Sequence, residues 1–144
     1  MTFTYTRAEM KAKKVLAECG VDDPTEMELS VIIRGRKAYY DETPLRGKEG
    51  EIVSVGQRSI ITVNSNILFL PKKRFAGAHE LGHYELHRTI QPVFCDSEEE
   101  LMSWYRGGPH EVEANEFAAE FLMPSELFRK ECERKKFEPK VITH

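Results

Sequence analysis

Apolar residues recur every three or four positions along the first part of the chain, which is the spacing of one face of a helix. This pattern predicts a helix over residues 6–19, where Thr6 and Glu9 have the spacing of a capping box. A second, shorter helix is predicted over residues 24–35, with Asp23 as its N-cap. The chain is therefore expected to open with two consecutive helices.

The pattern changes between residues 36 and 64, where β-branched and aromatic runs are broken by glycine. Three runs are predicted as strands, and they read KAYY, GEIVSV and RSIITVN. Only Gly56 and Gln57 separate the last two runs, and a two-residue link that begins with glycine favours a hairpin with a type II′ turn. A small antiparallel sheet is expected here.

Helical spacing returns over residues 71–88 and again over residues 111–123. The segment between them is polar and acidic, and Ser97 is placed to open a short helix in it. Pro124 opens a last predicted helix, which reaches about Lys136. The expected fold class is α+β, a helical domain with the small antiparallel sheet packed beside the helix of residues 71–88.

Length and composition favour a single globular domain over residues 1–144. The 144 residues are 40% hydrophobic and 31% charged, which is enough to close a core without disulfide bonds. Lys and Arg number 21 against 24 Asp and Glu, a net charge of −3, so no overall basic field attracts nucleic acid. We therefore expect no direct nucleic-acid partner.

Cysteine usage and hydropathy bear on location. Cys19, Cys95 and Cys132 are odd in number and have no C-x-x-C spacing, which favours a reducing compartment. The amino terminus has no apolar signal region, and the longest apolar run, ILFL at residues 67–70, is too short to span a bilayer. We expect a cytoplasmic protein with no membrane partner.

The helix predicted over residues 71–88 carries an H-E-x-x-H motif made of His79, Glu80 and His83. Residues four apart on a helix project from the same face, so the two imidazoles can bind one metal ion. Glu80 lies one step round the helix and can reach a water on that ion without being a ligand, as a general base requires. His87 would lie about 6 Å further along the axis, so we expect it to support the site or the fold rather than to bind the metal.

A catalytic zinc needs a third protein ligand and an open fourth position. In the predicted helix EVEANEFAAEF, the acids Glu111, Glu113 and Glu116 compete for this role. Glu111 is favoured because it lies in the first turn, three residues before the small Ala114, which lets two helices approach closely. The other two acids are expected to be solvated. Asn115 is then placed to hydrogen-bond a ligating histidine.

Together, RFAGAHELGHYELH and EVEANEFAAEFLMP resemble the two zinc-helix motifs of the ImmA/IrrE family of bacterial and phage metallopeptidases. The upstream order of two helices, a hairpin ending in IITVN and a helix is also similar to that family. The resemblance implies a zincin-like fold and a gluzincin-like site. In that site His79, His83 and Glu111 hold zinc, Glu80 is the catalytic glutamate, and Asn115 supports the ligands.

The resemblance also implies a substrate class, because family members cut helix-turn-helix transcriptional repressors under stress or during mobile-element induction. Two features depart from the family pattern. Ala76 and Gly77 replace the common Thr-Leu, and a mid-helix glycine costs about 1 kcal/mol relative to alanine, so close packing or strain is expected there. Relatives usually continue beyond KVITH through further helices, so the chain is either a minimal member or a truncated one.

The predicted function is that of a zinc-dependent endopeptidase with a protein substrate. Manganese, iron or cobalt also suits two imidazoles and a carboxylate. The alternative is a regulatory protein that binds a repressor or antitoxin without cutting it, with a structural metal; Glu80 argues against this, because a structural site needs no base. A chance motif with interior histidines is a third reading. His110, Tyr84 and Tyr105 are weaker candidates for stabilising an oxyanion.

Overall fold

The structure, a computed structural model, describes residues 4–88, 93–94 and 108–135. Within these ranges helices and strands follow in the order α1 (Arg7–Glu18), α2 (Leu29–Gly35), β1 (Tyr39–Thr43), β2 (Gly50–Val55), β3 (Arg58–Asn64), α3 (Leu70–His87), β4 (Val93–Phe94), α4 (Pro109–Leu122) and α5 (Ser125–Lys135). The predicted α+β class is confirmed. Cys95, the short helix predicted at Ser97, and Tyr105 lie outside the described residues.

Helix α1 begins where the capping box predicts. The Thr6 hydroxyl accepts a hydrogen bond from the Glu9 amide at 3.1 Å, and the Glu9 carboxylate accepts one from the Thr6 amide at 2.8 Å. The two bonds satisfy two backbone donors that a helix start otherwise leaves free. The buried face of this helix, which includes Ala12 and Val15, packs mainly on α4. The prediction of this helix is confirmed.

The second predicted helix is wrong as a single element. Asp23 caps only a short 3₁₀ turn, Pro24–Glu26, and α2 follows after an extended link. The guanidinium of Arg74, on α3, donates hydrogen bonds to the carbonyl oxygens of Pro24 at 2.9 Å and Met27 at 3.1 Å. A continuous helix would use these carbonyls for its own amide groups, so the contact with α3 replaces a turn of helix.

The four strands form one sheet in the order β1-β3-β2-β4. Strands β2 and β3 make the predicted hairpin: Val55 pairs with Arg58, and Gly56 has φ 63°, the sign that a type II′ turn requires at this position. Strand β1 lies on the other side of β3 and runs parallel to it, with Tyr39 opposite Ile60. The sheet is therefore mixed, and the expectation of a purely antiparallel sheet is wrong for β1. Strand β3 lies between its hairpin partner and β1, and it has more buried residues than either of them.

Helix α3 lies between the sheet and α4. It packs on β2 and β3 on one side and most extensively on α4 on the other. Every residue from Ala76 to Tyr84 is buried. A Cβ at Gly77 would lie 2.6 Å from Leu29 Cδ2, and a Cβ at Gly82 would lie 3.1 Å from Phe117 Cβ. The close packing expected at Gly77 is thus present, and both glycines let neighbouring helices approach α3.

No helix within the described ranges is both long enough and apolar enough to cross a membrane.

Candidate metal centre

Helices α3 and α4 bring the three predicted ligands together. One ligand atom from each of His79, His83 and Glu111 lies within 4.8 Å of the other two. Glu111 Oε2 lies 3.1 Å from His79 Nε2 and 3.9 Å from His83 Nε2. Atoms bound at 2.0–2.1 Å to a tetrahedral ion lie about 3.3 Å apart, so the three groups fit a zinc-sized ion with small adjustments.

Burial and neighbouring charges shift the pKa values of the three groups, and these shifts favour protonation states that allow a cation to bind. His83 is fully buried, and burial lowers the pKa of its imidazole to about 3, so the ring is neutral. Burial acts to lower the pKa of His79 and to raise that of Glu111, but their mutual hydrogen bond and charges reverse both shifts. The pair therefore holds a proton between a basic imidazole and an ionised carboxylate, and a bound metal would replace that proton.

Glu80 is a buried acid beside this cluster. Its side chain is almost inaccessible, and burial, reinforced by the charges of Glu111 and Glu51, raises the pKa of its carboxyl from an ordinary 4.5 to about 7, against an opposing contribution from His79. Within the described part of the chain no group hydrogen-bonds to Glu80 Oε1. A carboxyl that titrates near neutrality is suited to exchange protons at physiological pH.

The start of β2 packs directly against Glu80. A Cβ at Gly50 would lie 3.1 Å from Glu80 Cγ, 3.2 Å from its Oε2 and 3.3 Å from the Thr62 carbonyl oxygen. A side chain at Gly50 would therefore displace the carboxylate. The sequence analysis did not find this residue; its only signal was a glycine at the start of a predicted strand, which can mark close approach of another group.

A cleft of about 280 Å³ opens at the cluster. One wall is the segment 47–50, and the others are formed by α3 and α4, with Phe75, His79, Glu80, Glu111 and Asn115 among the lining residues. A larger cleft of about 460 Å³ lies where α5 meets the 3₁₀ turn, and it contains none of the predicted site residues. Of these two clefts, the smaller one therefore connects the protein surface to the predicted site residues.

Asn115 lies beside the first ligand. Its Oδ1 is 2.9 Å from His79 Nδ1, and an amide oxygen can only accept, so Nδ1 carries the proton. Once a metal displaces the proton shared with Glu111, the opposite ring atom, Nε2, offers the lone pair that the metal needs. Asn115 is thus in the place that the sequence analysis expected for a residue supporting a ligand.

His87 lies beside the second ligand. Its Nδ1 is 3.0 Å from His83 Nδ1, and its Nε2 is 2.9 Å from Glu113 Oε1. The prediction that Glu113 is merely solvated is therefore wrong: its other oxygen also contacts Arg7 Nε at 3.4 Å. No local sequence pattern distinguished Glu113 from Glu116. The contacts of Glu113 depend on how α1 and α3 pack against α4.

The two weaker candidates that lie within the described ranges, Tyr84 and His110, do not line the cleft. The Tyr84 hydroxyl donates a hydrogen bond to the Arg36 carbonyl at 2.7 Å, so this side chain ties α3 to the end of α2. The His110 ring stacks on His87, with ring centroids 4.3 Å apart. Tyr84 therefore joins α3 to the end of α2, and His110 packs against His87.

Comparison with known proteins agrees with this geometry. The family model described as the IrrE N-terminal-like domain, a peptidase family, matches residues 34–137, which is well over half of the chain. The matched region contains the sheet and the two helices that carry the cluster. A search of curated proteins finds no match. The chain therefore belongs to the peptidase family of the IrrE N-terminal-like domain, as its resemblance to the ImmA/IrrE family implies.

Proposed function

We propose that the protein is a zinc-dependent endopeptidase. The observation that carries the proposal is the position of Glu80, a buried carboxyl with a pKa of about 7, next to the cluster of His79, His83 and Glu111. A metal that only holds a fold together needs no such acid, because a closed structural site leaves no position for water. A metal that hydrolyses peptide bonds needs a base at this place.

In this proposal His79, His83 and Glu111 hold the zinc, which when bound supplies the means to activate water and to polarise the scissile carbonyl. Glu80 takes a proton from the attacking water as the new C–O bond forms. It returns that proton to the leaving nitrogen as the C–N bond breaks, so the carboxylate ends the reaction as it began. The pKa of about 7 is that of the metal-free protein, and the charge of a bound metal would lower it and favour the ionised carboxylate that accepts the proton.

The substrate backbone is proposed to lie along the Gly50 end of β2, as an added strand. Support comes from the sheet: the described part of β4 pairs only with Ile52 and Val53 of that strand. The Gly50 end lies against Glu80 and lines the cleft. A peptide in this place would bring a backbone carbonyl toward the cluster, while its side chains alternate between the cleft and solvent.

We further propose that the substrate is a helix-turn-helix transcriptional repressor and that the protein does not itself bind nucleic acid. Support comes from the family resemblance and from the net charge of −3. Zinc is proposed because two imidazoles and one carboxylate are typical of a catalytic zinc, although the same set binds manganese, iron and cobalt. Elemental analysis of protein purified without added metal tests the identity of the ion.

Incubation with a repressor encoded beside this protein's gene tests the activity. A cleaved product that disappears on chelation, returns with zinc and is not formed by the Glu80→Gln variant supports the endopeptidase. Glu116→Gln is the matched control, since it makes the same chemical change on an acid that does not belong to the ligand cluster. A stable complex in which the repressor stays intact would support the alternative, a regulatory binding protein with a structural metal.

A further inference from the structure

Three side chains form a buried line that ends at a metal ligand. Glu113 Oε1 is 2.9 Å from His87 Nε2, and His87 Nδ1 is 3.0 Å from His83 Nδ1. We propose that Glu113 is a positioning residue that acts through His87 to fix the tautomer of His83 in which Nε2 carries the free lone pair. This inference rests on the proposed metal site and adds a residue to it.

Glu113, at one end of this line, determines which ring nitrogen of His87 and of His83 carries the proton. An ionised carboxylate only accepts hydrogen bonds, so His87 must carry its proton on Nε2, facing Glu113. A neutral imidazole has one N–H, so His87 Nδ1 is then an acceptor. The 3.0 Å contact between the two Nδ1 atoms therefore requires His83 to donate from its Nδ1. His83 Nε2 is left unprotonated, on the side of the ring that faces Glu111.

A metal bound to His83, at the other end of the line, requires the same proton positions on the two rings. An ion at His83 Nε2 takes its lone pair, which leaves the proton of the neutral ring on Nδ1. That proton can be accepted only if His87 Nδ1 has a lone pair, which places the His87 proton on Nε2, opposite Glu113. The two ends of the line thus agree, and each hydrogen bond favours the next.

In the metal-free protein Glu111 competes only weakly with this arrangement, in which the proton of His83 lies on Nδ1. Its Oε2 would draw a proton to His83 Nε2, but it lies 3.9 Å from that atom and only 3.1 Å from His79 Nε2. Glu113 is held at 2.9 Å from His87, and its other oxygen lies 3.4 Å from Arg7 Nε. The contact at the Glu113 end is therefore the shorter of the two that compete for the proton of His83.

The same helix supports both histidine ligands. Asn115 accepts directly from His79, and Glu113 acts on His83 through one intervening ring. The E-x-E-x-N pattern at the start of α4 therefore has three proposed roles. Glu111 is a metal ligand, Asn115 supports the ligand His79, and Glu113 supports the ligand His83. Neither support is a ligand, and both would act by presenting Nε2 to the metal.

Zinc titration of purified, metal-free protein tests the proposal without any activity assay. Glu113→Ala is expected to weaken zinc binding roughly 10- to 100-fold, the usual effect of removing a residue that orients a ligand. Glu113→Gln keeps an acceptor for His87 and should lose less affinity, and Glu116→Gln should bind as the wild type does. Circular dichroism verifies folding, and if the alanine variant does not fold, the smaller loss of affinity expected for Glu113→Gln, measured relative to Glu116→Gln, is the test.

Long-range ¹H–¹⁵N spectra of the histidine rings, recorded without metal, separate positioning from a merely structural effect. In the wild type the proton of His83 should reside on Nδ1, and in Glu113→Ala a population with the proton on Nε2 should appear. Unchanged zinc affinity, or reduced affinity with an unchanged His83 tautomer, would overturn the positioning role. A wild type that binds no zinc would instead overturn the proposed function, and the metal-free spectra would still decide for or against the role of Glu113.

Discussion

Asn115 Oδ1 lies 2.9 Å from His79 Nδ1, and Asn115 itself stands one helical turn beyond Glu111 on α4. Residues four apart share a helix face, so one face of α4 supplies both a proposed ligand and the support for another. The position of His79 therefore depends on the same helix that closes the cluster.

Replacing Asn115 by alanine should weaken zinc binding roughly 10- to 100-fold, because the His79 ring loses the acceptor that fixes its orientation and tautomer. The fold should survive, since Asn115 is exposed. Competition with a chromogenic chelator measures the affinity. Asn115→Asp keeps an acceptor and is the matched control; equal affinity of the alanine variant and the wild type would contradict the prediction.

Glu111→Gln should remove most of the zinc affinity, whereas Glu116→Gln should not. The carboxylate of Glu111 lies against both histidines, and an amide is a much poorer ligand for a cation. Metal content after gel filtration, measured by elemental analysis, compares the two variants. If Glu116→Gln loses the metal and Glu111→Gln keeps it, the third ligand has been assigned to the wrong acid.

The buried acid should make the metal-free protein less stable as pH rises. Glu80 has a pKa of about 7 in the folded protein against an ordinary 4.5, so the folded state binds the extra proton between these values. Stability from this group is complete below pH 4.5 and lost as pH rises through 7. Glu80→Gln should therefore raise the free energy of unfolding by roughly 1–3 kcal/mol at pH 8, and much less at pH 5.

Urea denaturation in the presence of chelator, at both pH values, measures this difference. Glu80→Gln should also lose the proposed peptidase activity. The two measurements together would show that Glu80 is needed for catalysis although it destabilises the fold at high pH. A variant whose stability relative to wild type is the same at pH 5 and pH 8 would mean that Glu80 has an ordinary pKa.

Gly50→Ala should reduce activity more than metal binding. The added methyl group would lie 3.1 Å from Glu80 Cγ and 3.2 Å from Oε2, so the carboxylate must move. A displacement of a catalytic group by about 1 Å can lower kcat roughly 100-fold, while the ligands are untouched. Steady-state kinetics with zinc-loaded protein measure kcat, and zinc titration provides the comparison. A variant with normal kcat would show that Gly50 does not hold Glu80 in place.

Gly77→Ala and Gly35→Ala form a matched pair. Alanine gains about 1 kcal/mol of helix propensity over glycine inside a helix, as at Gly77, and less at Gly35, the last residue of α2. At Gly77 the new Cβ would lie 2.6 Å from Leu29 Cδ2, and overpacking of this kind costs about 1–3 kcal/mol, so the net effect should be destabilising. At Gly35 no atom lies within 4 Å of the new Cβ, so the substitution should stabilise. Thermal unfolding of both variants gives the signs, and a stabilised Gly77→Ala would refute the clash.

Local chemistry made much of this site predictable. The capping box of Thr6 and Glu9 and the Gly56 turn depend on neighbours in sequence, and the structure has both. The pairing of His79 with His83 follows from helical geometry once α3 is recognised. The choice of Glu111 needed a spacing argument and a family resemblance, because the glutamates of this helix are chemically alike.

Contacts between distant segments account for what sequence reasoning missed. Arg74 divides the second predicted helix by occupying carbonyl groups about fifty positions upstream. Strand β1 pairs in parallel with β3 rather than with β2, the next strand in sequence, and no property of β1 alone decides that choice of neighbour. Glu113 differs from Glu116 only in what α1 and α3 place beside it.

The uninterrupted burial of α3 from Ala76 to Tyr84 restricts how the active centre can change. The two histidines proposed to bind the ion also fill the space between the sheet and α4, so altering their rotation or register would disturb the hydrophobic interior. Diversity in what the protein accepts is therefore expected at Glu49 on the outer wall of the cleft, whose side chain is largely exposed, and not at Gly50, where a side chain would displace Glu80. An engineer who wishes to redirect the proposed cleavage should vary Glu49 and leave Gly50 and the buried helix unchanged.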